Sequence, residues 1–225
     1  MKKIQFAALY LCLVTISCGK SDSPAPTAPT ATSYMNVKVG SSWNFEQINN
    51  KPPVSTSNYT LTSINKDSIV NGNSYHVYTN SSTSTSEYFR IAGDDYYTYQ
   101  SLPAALGSTK VENLYLKSSA TVGTSWSQVY NITYSSVPLA VTVTHTIQEK
   151  GISKTVNGIV YNNVIHIKTG IAVGGIPPAS LVTDIHYYYA PNYGLIENSS
   201  KIDLNYLTII SSTDITTRLK TAALL

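Results

Sequence analysis

The sequence predicts an all-β protein: a large antiparallel meander, in one sheet or two, curved or half-barrel, built from two tandem repeats. Three observations carry that expectation. Apolar and aromatic residues recur with period two in segment after segment, which is the spacing of a half-buried strand. Asn71-Gly72 and Asn157-Gly158 each interrupt such segments, and Asn-Gly is the dipeptide that a two-residue type I′ hairpin demands, because both central residues take positive φ. The phrase V-G-S/T-S-W is written twice, ending at Trp43 and at Trp126, 83 residues apart. No 3.6-residue apolar stripe competes with these signals, and the dominant residues are Tyr, Thr, Ser, Val and Ile, which suit a pleated surface.

The chain opens with Met1-Lys2-Lys3, then an almost wholly apolar run from Ile4 to Ser17, then Cys18. A positive start followed by a short apolar run is an export signal, and the run falls short of the roughly 20 residues that a membrane span needs. Thr15-Ile16-Ser17-Cys18 resembles a bacterial lipobox, although Leu is commoner than Thr at its first position. The resemblance implies removal of residues 1–17 and acylation of Cys18 on sulfur and amine. Two or three acyl chains then anchor the protein to a membrane, at about 0.8 kcal/mol per buried CH₂. Gly19, where an inner-membrane lipoprotein commonly has Asp, resembles the pattern of proteins sent to the outer membrane, facing either the periplasm or the cell surface. The alternative is an ordinary signal peptide cut near Ser17, leaving a free thiol.

Loss of Lys2 and Lys3 takes Lys+Arg from 15 to 13 against 12 Asp+Glu. Such a near-neutral chain offers no basic stripe for phosphate backbones, so nucleic acid is not an expected partner. With Cys12 removed and Cys18 acylated, no disulfide can form within the mature chain. Residues 18–33, the cysteine and "GKSDSPAPTAPTATS", hold no large apolar residue to offset ordering entropy and are expected to be a disordered tether. About 190 residues follow, enough for one sizeable core.

Within them the first repeat spans 34–116 and the second 117–225. Trp43, Phe45 and Gln47 share one face of the opening strand, as Trp126, Gln128, Tyr130 and Ile132 do in the second copy. "VNGNSYHVYTN" at 70–80 matches "VNGIVYNNVIHIKTG" at 156–170, and "SEYFRIAGDDYYTY" at 86–99 matches "TDIHYYYAPNYGLIEN" at 183–198. The offset grows from 83 to 86 to 98 residues, so the second copy carries insertions, one of them the loop "GIAVGGIPPAS" at 170–180. The segment 137–148 puts Val141, Val143, His145 and Ile147 on one face, and 201–210 reads as one strand aligning Ile202, Leu204, Tyr206, Thr208 and Ile210.

"VGSSWNFEQ" near the start and "YYYAPNYGLIE" near the end resemble a pair found in secreted lipoproteins of Bacteroidota. There V-G-x-x-W-x-[YF] opens the domain and [YF]-A-P-x-x-G-L-[IV] lies near its close. Such proteins are similar to the large curved sheets of the periplasmic lipoprotein carrier and its outer-membrane receptor. The resemblance implies fold and address: Trp43 and Trp126 as core anchors and Pro191 to Gly194 as a turn. It implies no catalytic residues.

The residues point to no catalytic site and no cofactor. His76 and His166 occupy matching places in the two copies and could converge on a metal, but a strand histidine bonded to a neighbour explains each, and no H-E-x-x-H or similar zinc spacing is present. Asp94-Asp95 lacks the further ligands that Ca²⁺ needs and reads as a turn. No G-x-S-x-G elbow occurs, and 12% charged residues leave few acids, bases or electrophiles. What remains is binding or scaffolding. Among 18 tyrosines, alternation places Tyr187 and Tyr189 on one face and Tyr188 on the other. Tyr187, Tyr189, Tyr97, Trp43 and Trp126 are the candidate ligand-binding residues, since aromatic faces line apolar cavities or stack on sugars. Two readings stand. A lipid or acyl ligand on the concave face requires unfilled apolar volume. A surface module for glycan or protein requires exposed Tyr or Trp and no cavity.

Overall fold

The computed structural model describes residues 33–83, 85–102, 110–134, 137–207 and 209–225. Cys18, the signal and the tether lie outside them. Twelve strands follow in chain order: β1 (Ser42–Asn49), β2 (Ser55–Val70), β3 (Asn73–Asn80), β4 (Thr85–Ala92), β5 (Asp95–Ser101), β6 (Lys110–Lys117), β7 (Ser125–Tyr134), β8 (Val137–Val156), β9 (Ile159–Val173), β10 (Leu181–Ala190), β11 (Gly194–Tyr206) and β12 (Ile209–Ala223). Each pairs antiparallel with its chain neighbour except β6 with β7. Instead β1 pairs with β12, from Ser42 opposite Ala223 to Asn49 opposite Ile215, so both halves belong to one sheet. Trp43 sits at the start of β1 and Trp126 at the start of β7. Asn71-Gly72 joins β2 to β3 and Asn157-Gly158 joins β8 to β9, with φ of 51° and 80° in the first and 49° and 80° in the second. Those are the positive values a type I′ turn imposes.

The sheet curls until its two edges meet. Among the described residues, four side-chain hydrogen bonds cross from β7 to the free backbone edge of β6. Trp126 Nε1 donates to the Leu114 carbonyl at 2.7 Å and Gln128 Oε1 accepts from the Leu114 amide at 2.7 Å. Gln128 Nε2 and the Tyr130 hydroxyl both donate to the Glu112 carbonyl, at 3.3 and 2.9 Å. Trp126, Gln128 and Tyr130 share one face of β7, and they satisfy an edge that would otherwise be open to another chain. The result is a barrel closed by side chains where the ladder stops.

One end of this barrel is plugged by the segment entering β1. Tyr34 and Met35 are buried there. The Tyr34 amide donates to the Tyr96 hydroxyl at 3.0 Å, the Tyr34 hydroxyl donates to the Asn163 carbonyl at 2.8 Å, and the Tyr78 hydroxyl donates to the Asn36 carbonyl at 2.7 Å. The β10–β11 turn closes over the same segment, the Asn192 amide donating to the Ser33 carbonyl at 2.8 Å. Gly194 has φ of 72° and lies so near that an added Cβ would stand 3.2 Å from Met35 Sδ and 3.3 Å from the Tyr34 carbonyl oxygen. The start of the domain and the Tyr-Ala-Pro-x-x-Gly turn near its close are thus two sides of one contact.

Two interior clusters hold the barrel. One gathers Trp43, Phe45, Tyr78, Tyr96, Tyr115, Ile147, Ile165, Ile167 and Leu219 near the plug, and the other Ile132, Val141, Val143, Val173, Leu181 and Leu204 toward the far end. The face predicted for 137–148 is the one buried, with Val141, His145 and Ile147 at 0, 2 and 0% exposure.

Three expectations need correction. Residues 201–210 are not one strand: the chain turns at Leu207, whose φ is 53°, and Ile210 is 78% exposed. Period two cannot see a turn built without Gly or Pro. The 170–180 segment is only partly loop, since β9 continues through Gly170 to Val173, which pairs with Val141. The matched His76 and His166 lie on opposite faces: His76 shares the inward face of Tyr78, whereas His166 stands opposite the outward Tyr188. Register slips of one residue at three places between β8 and β9 undo the face correspondence, because a one-residue slip flips every following side chain, whereas the break in β2 between Ser63 and Asp67 skips two residues and leaves the faces unchanged.

Candidate ligand-binding interior

Beside the cluster near the plug, the barrel interior holds a partly open cavity of about 160 Å³. Its wall comes from eight strands around the barrel. Trp43 and Phe45 (β1), Tyr59 and Leu61 (β2), Phe89 (β4), Tyr115 (β6), Tyr187 and Tyr189 (β10) and Leu195 (β11) give it an apolar, mostly aromatic lining, with Met35 from the plug at one end. Close-packed interiors leave few voids larger than a water molecule, and a cavity of about 150 Å³ is large enough to take up benzene. A second depression, between Gln47, Lys51, Ser55 and Ser212, is more open and polar.

Five polar side chains interrupt the lining: Glu87 on β4, Thr98 and Gln100 on β5, Asn113 on β6 and His145 on β8. Burial raises the Glu87 carboxyl above its ordinary range, against the opposing effect of the Asn80 amide, which donates to Oε1 at 2.6 Å. Burial also holds His145 down at about 4. Because Asn113 presents its carbonyl oxygen at 3.0 Å, His145 Nε2 carries the proton, and Nδ1 accepts from the Thr169 hydroxyl at 2.8 Å. The imidazole is therefore neutral, with both nitrogens engaged, and lies against the Trp126 ring at 5.5 Å. Two polar atoms of the lining are buried without a partner among the described residues: the Trp43 indole N–H and the Thr98 hydroxyl. A buried polar group left unpaired costs about 1–3 kcal/mol, so each is a ready contact for something placed in the cavity.

The sequence-derived candidates separate by position. Trp43, Tyr187 and Tyr189 come together on the cavity wall, the two tyrosine rings parallel within 14° at 6.2 Å. Trp126 stands at the seam and donates to β6. Tyr97 faces outward beneath the Arg90 guanidinium, 3.8 Å from its ring centre. Sequence reasoning did not single out Tyr59, Glu87, Thr98 or Tyr115. A signal for Glu87 was available, since alternation puts it on the face of Phe89. Tyr115 was hidden by the irregular register between Tyr96 and Tyr97, where it is the extra residue. Among the described residues, no group of three or more His, Cys, Asp or Glu side chains is placed to hold a metal ion.

No family model matches the sequence, and no curated protein does. Among solved structures, the chain is similar to a protein from Parabacteroides distasonis ATCC 8503, crystallised as an assigned lipoprotein. The TM-score is 0.50 at 11% identity, over 86% of this chain and 100% of that one. At that identity the likeness is one of fold: the curved all-β architecture is shared with a distant protein of a Bacteroidota species.

Proposed function

We propose that this chain is a noncatalytic lipoprotein of the cell envelope, anchored to the outer membrane through acylated Cys18, and that its barrel interior holds a compact apolar ligand. The observation that carries the binding role is the aromatic cavity of about 160 Å³ with the unpartnered Trp43 N–H and Thr98 hydroxyl in its lining. Its size suits a ring or a short acyl segment rather than a whole fatty acid. About six buried carbons contribute roughly 5 kcal/mol, an affinity between millimolar and micromolar. The engaged, neutral His145 supports the noncatalytic reading, because neither nitrogen is free to act as a base. The lipoprotein reading is supported by the lipobox-like Thr15 to Cys18 and by the shared fold with the Parabacteroides protein. No Tyr or Trp is among the exposed large hydrophobic residues described, which weighs against recognition of glycan by surface tyrosines.

Residues 33–225 contain the whole sheet and its core and form one compact unit, so this segment serves for the test. Native and denatured masses are compared for a co-purified small molecule, and the emptied protein is titrated with hexanoate. Uptake that is lost in Leu195→Trp, which narrows the cavity, supports the reading. An empty protein that also takes up no hexanoate overturns it.

A further inference from the structure

A different cluster lies on the outer wall, where β8, β9 and β10 run side by side. His166 on β9 and His186 on β10 face each other, with His166 Nε2 2.8 Å from His186 Nδ1. The remaining nitrogen of each ring meets a carboxylate: His166 Nδ1 lies 2.9 Å from Glu149 Oε2, and His186 Nε2 lies 2.9 Å from Asp184 Oδ1. Ionised carboxylates only accept, so each of these outer nitrogens carries a proton. The two inner nitrogens are thereby left facing each other at 2.8 Å. The Tyr188 ring stacks on His166 at 4.3 Å and 14°, which fixes the plane of that imidazole.

Imidazole nitrogens converging on one point, each ring held from behind by a carboxylate, are the arrangement that orients histidine ligands on a metal. We propose that His166 and His186 form a two-imidazole site for a divalent transition ion of the Zn²⁺ or Cu²⁺ kind, bound between His166 Nε2 and His186 Nδ1. With metal–nitrogen bonds of about 2.0–2.1 Å at a tetrahedral angle, the nitrogens stand roughly 3.3 Å apart, so the rings separate by about half an ångström from where they are. The His186 side chain is 22% exposed and His166 10%; the outer ring has room to move and the inner one is held. Glu149 and Asp184 offset the added charge. Lys168, 3.7 Å from Asp184, and Lys154, 3.7 Å over the Tyr188 ring, oppose it. Water or an external ligand fills the other coordination positions, so binding is weaker than at a site with three protein ligands. Cu²⁺ binds more tightly than Zn²⁺, and Mg²⁺ and Ca²⁺, which prefer oxygen ligands, do not bind.

The test is calorimetric titration of residues 33–225, carrying no histidine tag, with Zn²⁺ and Cu²⁺ at neutral pH and with Mg²⁺ as control. The expected result is one ion per chain, binding lost in His186→Ala, and affinity reduced about 10–100-fold in Glu149→Gln and in Asp184→Asn. Because His186 is the more exposed ring, its variant keeps the fold, which thermal melting checks. No uptake overturns the proposal, as does uptake that His186→Ala leaves undiminished.

Discussion

Protonation of His145 sets how this barrel responds to acid. The imidazole is 2% exposed, and its neighbours are the Asn113 amide, the Thr169 hydroxyl and the Trp126 ring. Burial holds it at about 4, below its ordinary 6.5. Between those values the unfolded chain binds a proton that the folded chain refuses. Stability is therefore fully present above pH 6.5, falls as the pH drops below it, and reaches its lower limit near pH 4. The gap between the two values corresponds to about 3 kcal/mol. For a domain of this size that is roughly 6–12 °C in Tm. His145→Gln keeps a polar side chain in the same place and removes the titration. Urea midpoints of both proteins, read from neutral pH down to about pH 4, give the difference in stability, in which the contributions of other titrating groups cancel. The wild type is expected to be the more stable near pH 7, and the two curves to converge by about 3 kcal/mol toward pH 4. Parallel curves would refute the reasoning, since they would mean that the imidazole protonates in place without cost.

Gly194→Ala meets both a positive φ and the plug, at 3.2 Å from Met35 Sδ, whereas Gly72→Ala meets only its φ of 80°. The second is expected to cost about 1–2 kcal/mol in urea denaturation, and the first distinctly more. Trp126→Phe removes the donor to the Leu114 carbonyl and is expected to cost about 1–3 kcal/mol, with faster amide exchange along β6 as the sign that the seam has loosened. Cys18→Ser is expected to abolish lipid attachment and release the protein from membranes; retention of the lipid mass would sink the anchor hypothesis.

Much of the architecture can be read from local residue patterns. Period-two alternation placed Trp43 with Phe45 and His145 with Ile147, because side-chain alternation is a property of each extended segment alone. The Asn-Gly turns were readable for the same reason. In each six-strand half of the sheet, β1 to β6 and β7 to β12, these turns join the second strand to the third, and Trp43 and Trp126 open the first. On this correspondence we propose that a six-strand meander is the duplicated unit. Faces were readable only as far as the nearest irregularity: the alignment of His76 with His166 fails across the one-residue slips between β8 and β9, and Tyr115 was lost in the irregular β5–β6 register.

The candidate sites depended on contacts between residues far apart in the chain. That Trp43 and Tyr187 share one cavity follows from how far a twelve-strand sheet curls, which depends on the summed twist and stagger of all its strands. That His166 meets His186, and not His76, follows from the β9–β10 register. The closure at Leu114 and Trp126 brings together edges whose polar groups find partners only once the sheet has curved. Alternation, turn type and export signal are encoded within a few residues and so stand written in the amino-acid order. Curvature, cavity and the pairing of distant side chains arise from the whole sheet at once, and the tertiary structure alone decided them.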